Sequence, residues 1–358
     1  MLTRLIICIG SLLPPLASLW YLANRAINRL ATLLILMLFS FFIFEVIPQA
    51  VGFNLGFFFS GITMLSPHAA QGQLALVNAA VQKFGLNDPL PQRILVFFYN
   101  LFTLNFGNSA LFKEPVTTAI AQYLPNSLVL ASFSLVTTTI LAIVVGTRAA
   151  KSFISSKKKI GDSALSAVSI VTFNIPFIVL ALFLYIVFAD ELRWFPINLA
   201  FATTNGGLSH FSGVEYYLRY LWAAALPIIA LTVVGFGNGA ILIRNNIIDE
   251  YNSAGYVAYA KARGISENQL FYRHAFRNAM LPFVTQVGIA VAFIVGGLFF
   301  TEVLFDFPGI GYASVNAAVS FDIPFLIGST FVFAIYTLVV LYVLDLVYAR
   351  LDPRIQLV

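Results

Sequence analysis

The sequence predicts an all-α membrane protein, and three observations carry that prediction. Of 358 residues, 60% are hydrophobic and only 10% charged, whereas a soluble domain holds about 25% charged residues to face water. Mean hydropathy is +0.90. Six stretches, at about 30–47, 126–147, 164–189, 223–243, 283–304 and 325–347, read as helices of the roughly 20 apolar residues needed to cross about 30 Å of hydrocarbon. A lone Cys8 excludes a disulfide scaffold, and 36 Phe with 15 Tyr exclude intrinsic disorder.

Along the chain, Leu5–Leu22 is long and apolar but carries Pro14-Pro15 at its middle, which kinks or breaks a helix. It reads as an additional span or membrane-embedded hairpin, or as a peripheral, signal-like segment. The first span follows Arg25 and Arg29, and a long loop, about 48–125, follows that span. Its Gly, Pro and Asn turns alternate with apolar stretches such as Phe97–Phe106, the pattern of a partly helical cap on the outer surface. Asn174 and Pro176 sit together in the third span, and Gly235, Gly237 and Gly239 cluster in the fourth, where they loosen the helix. The fifth span carries Gln286 and a stripe of small residues, Gly288, Ala292 and Gly296. Such a stripe admits a close neighbour, either within the chain or at a dimer seam or pore. Polar groups at that depth face protein or water.

Charge orients the spans. Fourteen Lys and Arg, including Arg25, Arg29, Arg148, Lys151, Lys157–Lys159 and Arg244, fall on one side of the six spans, and five, Lys83, Arg93, Lys113, Arg193 and Arg219, on the other. The richer side is expected in the cytoplasm, together with the start of the six-span core and the C-terminus. The net charge of +5 is a topology signal of this kind and not a footprint for nucleic acid.

Enzymatic chemistry finds no motif. There is no GxxxxGK[ST] phosphate cradle, HExxH or GxSxG. His68, His210 and His274 lie in three different loops, so no catalytic, cofactor or metal site is expected. Glu45, Glu302 and Asp345 lie toward span ends, which disfavours a proton-coupled carrier.

The loop between the fourth and fifth spans, 244–282, is far longer than a connector needs. A first helix is predicted over Tyr256–Arg263, with Ala258, Ala260 and Ala262 keeping propensity high and side chains small. Gly264 ends it. Ser266 and Gln269 form a capping box that starts a second helix bearing Arg273, His274 and Arg277, and Leu281-Pro282 opens the fifth span.

Tyr256-Val-Ala-Tyr-Ala-Lys-Ala-Arg-Gly264-Ile-Ser and Arg273-His-Ala-Phe-Arg-Asn-Ala-Met-Leu-Pro282 together resemble the EAA loop of ATP-binding-cassette (ABC) importer permeases, in particular the first permease of the dipeptide and oligopeptide family. Glu302-Val-Leu-Phe-Asp-Phe-Pro-Gly-Ile-Gly311 is similar to that family's outer turn, and Leu351-Asp-Pro-Arg-Ile355 to its C-terminal signature. Phe84–Pro91, Asn105–Ser109 and Leu124–Leu128 resemble stretches around its second span. Two positions depart from the pattern: Ala258 stands where the loop's name-giving Glu would be, and Gly255 where an acidic residue commonly precedes Tyr-Val.

The resemblance implies a six-span type I ABC importer permease core, with residues 1–24 as an extra N-terminal hydrophobic segment. Residues 25–122 would hold the first core span and the extracytoplasmic region, and 123–358 the permease core with its coupling loop at 244–282. It further implies a multi-pass protein of the cell membrane that conducts solute and catalyses nothing. Its partners would be a second homologous permease, two cytoplasmic ATPase subunits and an extracellular solute-binding protein. The ATPase contact would be made by Tyr256, Val257, Tyr259, Ala260, Lys261, Ala262, Arg263 and Gly264. Gly288, Ala292, Gly296, Gln286 and Asn174 would serve helix packing or the translocation path, and Glu302, Pro308, Gly309 and Gly311 the outer turn. Di- and oligopeptides are the expected cargo, with oligosaccharides or nickel as alternatives. A stand-alone channel or secondary carrier is the competing class; its inverted repeats, broken helices and mid-span charges are not seen in the sequence.

Overall fold

A computed structural model describes residues 16–62, 70–155, 160–197, 213–253 and 255–351. Among these residues the chain is helical throughout, with one isolated bridge between Asn108 and Pro115 and no strand. The helices are α1 (Leu16–Phe41), continued by a π turn (Phe42–Val46) and Ile47–Ala50, then α2 (Leu55–Ser60), α3 (Ala70–Phe84), α4 (Leu90–Phe102) and α5 (Val116–Ser155). Next come α6 (Ile160–Asn174), α7 (Phe177–Leu184) with a π turn (Tyr185–Glu191), α8 (Val214–Ser253) and α9 (Gly255–Ala262). A further helix, α10, runs through Glu267–Gln269, a π turn (Leu270–Ala275) and Phe276–Ala279. The last three are α11 (Leu281–Leu304), α12 (Ile310–Val319) and α13 (Ile323–Leu351). All six predicted spans fall in these helices. Pro14-Pro15 and Lys157–Lys159 lie outside the described residues.

The third span departs from the expectation of one helix over 164–189. It is two helices bent by 100° around Ile175 and Pro176. Pro176 has no N–H to give to the turn below and takes φ −56°, ψ 130°, so the ladder stops at Asn174 and restarts at Phe177. A broken helix is therefore present, against the sequence expectation of none. The fourth span also corrects a reading: its glycines do not loosen α8, which is continuous from Val214 to Ser253. They let three neighbours approach: a Cβ on Gly237 would strike the Ser169 carbonyl oxygen of α6 and lie 2.8 Å from Thr172 Oγ1, one on Gly235 would lie 3.0 Å from Thr138 of α5, and one on Gly239 would lie 2.9 Å from the Phe283 ring of α11.

The chain divides into two compact units, Met1–Ala119 with Ala317–Val358, and Ile120–Asn316. In the first, Arg25 and Arg29 hold the two oxygens of Asp345 at 2.9 and 2.8 Å, joining α1 to α13. Glu45 and Arg93 are paired at 3.2 Å, both buried, a charge pair not anticipated from the sequence. Asp322, fully buried before α13, accepts from Ser109 Oγ, the Leu111 N–H and the Phe325 N–H.

In the second unit the apolar core has three parts. Leu130, Tyr220, Ala224, Leu226, Leu298 and Phe307 pack at one end. Phe236, Ala240, Ile243, Phe271 and Phe283 fill the middle. Tyr251, Val257, Ala260, Leu270 and Ala275 close the other end. α8 contributes to all three, and at 1.5 Å per residue its 40 residues extend about 60 Å, twice the hydrocarbon thickness.

Candidate functional site

The 244–282 segment is a small folded mount at one end of the second unit. α9 turns Val257 and Ala260 inward onto Tyr251, Leu270 and Ala275. Tyr256, Tyr259, Lys261, Ala262, Arg263 and Gly264 remain exposed. The expected contact set is thereby split, since Val257 and Ala260 belong to the mount's own core. The helix stops as Gly264 and its register dictate: Gly264 takes φ +76°, its N–H bonds to the Lys261 carbonyl at 2.9 Å, and the Ile265 N–H bonds to the Ala260 carbonyl at 3.3 Å. That pair of bonds is a Schellman closure.

The predicted capping box does not form. Ser266 occupies the N-cap with extended backbone, yet its side chain makes no capping hydrogen bond; its carbonyl accepts from Leu270 N–H at 3.0 Å instead. Lys261 Nζ sits 4.2 Å from the centroid of the Tyr251 ring, folding that cation back against the mount. Beside α9, Tyr256 donates its hydroxyl hydrogen to Glu250, and Asn278 Nδ2 donates to the Tyr256 oxygen at 3.0 Å. Burial raises the Tyr256 pKa first, and the hydrogen bond to Glu250 adds to it. These groups border a cleft of about 430 Å³ lined by Asn246, Asp249, Glu250, Ser253, Asn278, Ala279 and Pro282.

At the far end of α8, the outer turn closes on a buried carboxylate. Glu302 accepts from Ser127 Oγ at 2.5 Å and from the Tyr312 N–H at 3.0 Å, and the Ile310 N–H donates to Ser127 Oγ at 2.8 Å. Asn126 Nδ2 donates to the Pro308 carbonyl at 2.7 Å, and Tyr220 donates to Asn126 Oδ1 at 2.9 Å. Gly309 and Gly311 are needed for space: a Cβ on Gly309 would collide with the Glu302 carboxyl, and one on Gly311 would lie 2.9 Å from Phe299 Cα. The carboxylate faces the first turn of α12, where free N–H groups and the helix dipole favour negative charge. Two stretches singled out separately in sequence, 124–128 and 302–311, are thus one structure.

The remaining candidates do not gather into one place. Gly288 and Ala292 are buried in α11, and Gln286 Oε1 is buried without a hydrogen-bond partner among the described residues. No side-chain environment is described at Gly296. Asn174 is exposed and donates to the Ile170 carbonyl at 2.7 Å, terminating α6.

Sequence reasoning missed Asp162 and Arg244, which form a two-point pair at 2.5 and 2.7 Å between α6 and α8, with the Arg244 guanidinium 5.2 Å from the Phe153 ring centroid. The available signal was an acidic residue in the first turn of a helix. It also missed Asp322, for which an Asp directly before Ile-Pro at a helix start was the signal. No group of three or more His, Cys, Asp or Glu side chains suited to a metal occurs among the described residues.

Comparison with known proteins gives the family. Residues 139–357 match the family described as binding-protein-dependent transport system inner membrane component. The dipeptide transport system permease protein DppB of Lactococcus lactis is 28% identical over 338 residues, 94% of this chain and 99% of that protein. The oligopeptide transport system permease protein AppB of Bacillus subtilis is 28% identical over 337 residues, again 94% of this chain and 99% of that protein. The peptidoglycan transport system permease protein YejB of Agrobacterium fabrum is 30% identical over 288 residues, covering 78% and 76%. With a family match across more than half its length and similarity along nearly all of it, this chain belongs to the inner-membrane components of binding-protein-dependent transport systems, the non-enzymatic permease subunits of ABC importers.

Proposed function

We propose that this chain is one of two homologous permeases in a peptide importer. α9 docks onto one of two cytoplasmic ATPase subunits, and an extracellular binding protein delivers the solute to the opposite face. The observation that carries the reading is the mount. A short helix whose inward side is sealed by Val257 and Ala260 offers Tyr256, Tyr259, Ala262 and Arg263 outward, and its closure at Gly264 sets its direction. Such a piece transmits force because its core is continuous with α8 through Tyr251. Movement of a docked ATPase would carry the inner end of the span with it. On this reading the 244–282 loop, the start of the core and the C-terminus face the cytoplasm, in keeping with the fourteen-to-five charge split.

Peptides are the cargo favoured by the names of the relatives above, over oligosaccharides or nickel. Family membership counts against a stand-alone channel or carrier despite the broken third span.

Two loop variants test docking. Ala262→Asp places a carboxylate on the exposed face, where it is buried only if a partner sits there. Gly264→Val forces a β-branched residue into a left-handed conformation and tilts the helix. Both are expected to insert normally, lose co-purification with the ATPases and abolish uptake. Glu267→Ala, exposed on α10, is expected to change little. Normal ATPase capture and uptake in Ala262→Asp and Gly264→Val would reduce the loop to a connector. Thermal-shift screening of the partner binding protein against peptides and sugars tests the cargo separately.

A further inference from the structure

The first unit contains a segment whose position along two spans is at odds with a cap resting on the outer surface. The Arg29–Asp345 ion pair, at 2.8 Å, sets a common level on α1 and α13. Charged side chains at span ends mark the edge of the hydrocarbon. Phe41 lies twelve residues beyond Arg29, and Phe331 fourteen residues before Asp345. At 1.5 Å per residue they stand about 18 and 21 Å from that level, within hydrocarbon about 30 Å thick.

α4 touches both. Arg93, near its start, bonds to Gln49 at 2.5 Å and to Glu45 at 3.2 Å, toward the far end of the first span. Four residues on, Phe97 meets Phe41 with ring centroids 5.3 Å apart. At its end, Phe102 meets Phe331 at 6.5 Å, and Phe106 meets the same ring at 5.7 Å. The chain then climbs back: Ser109 Oγ and the Leu111 N–H reach Asp322, before the first residue of α13. Asp322 is nine residues from Phe331, about 14 Å along the helix. α4 therefore enters from the far end of the first span, runs across α1 and α13 at a level about 18–21 Å from the ion pair, and 103–111 returns.

Two further observations fit that depth. The turn satisfies its own polar groups, since Thr103, Leu104 and Asn105 N–H bond to the carbonyls of Tyr99, Leu101 and Asn100 at 3.0, 3.2 and 2.8 Å, and Asn105 Nδ2 donates to Asn100 Oδ1 at 3.1 Å. Non-helical backbone inside a membrane requires such internal pairing. The only charge in α4, Arg93, is buried and paired, while Leu95, Tyr99 and Phe102, at i, i+4 and i+7, are 71, 69 and 52% exposed. That stripe carries one polar group, the Tyr99 hydroxyl, and no charge, and the first span is likewise apolar where it is exposed at Phe39, Ile43 and Ile47.

We propose that Leu90–Ser109 is a re-entrant hairpin within the membrane, and that its Leu95, Tyr99 and Phe102 face packs on the acyl chains of one leaflet. The test uses the intact importer in lipid nanodiscs, on a Cys8→Ser background, with single nitroxide labels on Leu95→Cys, Tyr99→Cys and Asn87→Cys. Asn87 is exposed in the turn before α4 and serves as the water-facing reference. Collision with molecular oxygen is expected to exceed collision with nickel–EDDA several-fold at 95 and 99, and the order is expected to reverse at 87. Nickel-favoured collision at 95 and 99 would make the stripe a wet surface. Labels there that are immobilised and reached by neither reagent would make it a protein interface. Either result overturns the proposal.

Discussion

At the scale of single residues, the outer turn concentrates the largest effects. Glu302 is fully buried and its acceptor capacity is matched to Ser127 and the α12 amides. Glu302→Ala leaves those donors without an acceptor at about 1–3 kcal/mol each, and also empties a buried volume. Ser127→Ala removes one hydroxyl and is expected to cost less, because the α12 amides keep the carboxylate. Gly311→Ala is expected to destabilise by about 1–3 kcal/mol, since its Cβ would press at once on the buried, hydrogen-bonded Glu302 carboxyl at 2.8 Å and on Phe299 Cα at 2.9 Å, and the backbone atom cannot rotate away. Thermal unfolding of the purified importer should rank Glu302→Ala below Ser127→Ala. Parental stability in Gly311→Ala would mean that the turn is open. Glu302, Pro308, Gly309 and Gly311 were legible because they stand in a single run of ten residues. Ser127, their partner, lies 175 residues away from Glu302, in the 124–128 stretch, and no local pattern joins the two stretches. The burial of Ala260 is hidden for a related reason: small side chains on a short helix look alike whether they await a partner or fill their own core, and only Tyr251, Leu270 and Ala275 decide.

At the scale of elements, hydropathy located the six apolar stretches but not their geometry. The third span shows why. Its two helices are each apolar, and Pro176 announces a disturbance without setting an angle; a proline within α8, Pro227, leaves that helix continuous. What differs is the backbone taken up around the third-span proline, extended at ψ 130°. A distance measurement checks the bend. Nitroxides on Ile160→Cys and Asp190→Cys would stand about 45 Å apart on a continuous helix. Two arms of about 22 Å bent by 100° bring them to about 28 Å. A distribution centred near 45 Å would restore the unbroken span. α5 and α8, at 40 residues each, also exceed any span predicted from hydropathy, because helix continues beyond the lipid wherever tertiary packing supports it. Near the loop end of α8, Arg244 clasps Asp162. Its charge was counted for orientation while its structural work was invisible.

At the scale of the whole molecule, orientation is the property on which the proposed docking depends. With a membrane-impermeant thiol reagent and a Cys8→Ser background, Asn87→Cys is expected to react in sealed cells and Asn268→Cys only after permeabilisation. The reverse pattern would invert the protein and remove the docking proposal. Both positions are exposed, so a difference in reactivity reports side and not burial. The sequence by itself determined the solvent, the helical class, the six apolar stretches and the family, because apolar run length, charge excess and ordered short motifs are local properties. Tertiary structure alone decided which face of α9 is free, that the 124–128 and 302–311 stretches meet, how the third span breaks, and where Glu45, Arg93, Asp162 and Asp322 find partners. The physical reason is common to all of these: a buried charge or a small residue takes its role from groups far away in the chain. Hydrophobic burial is non-directional, so a pattern of apolar residues can specify a helix and its membrane setting without specifying its neighbours.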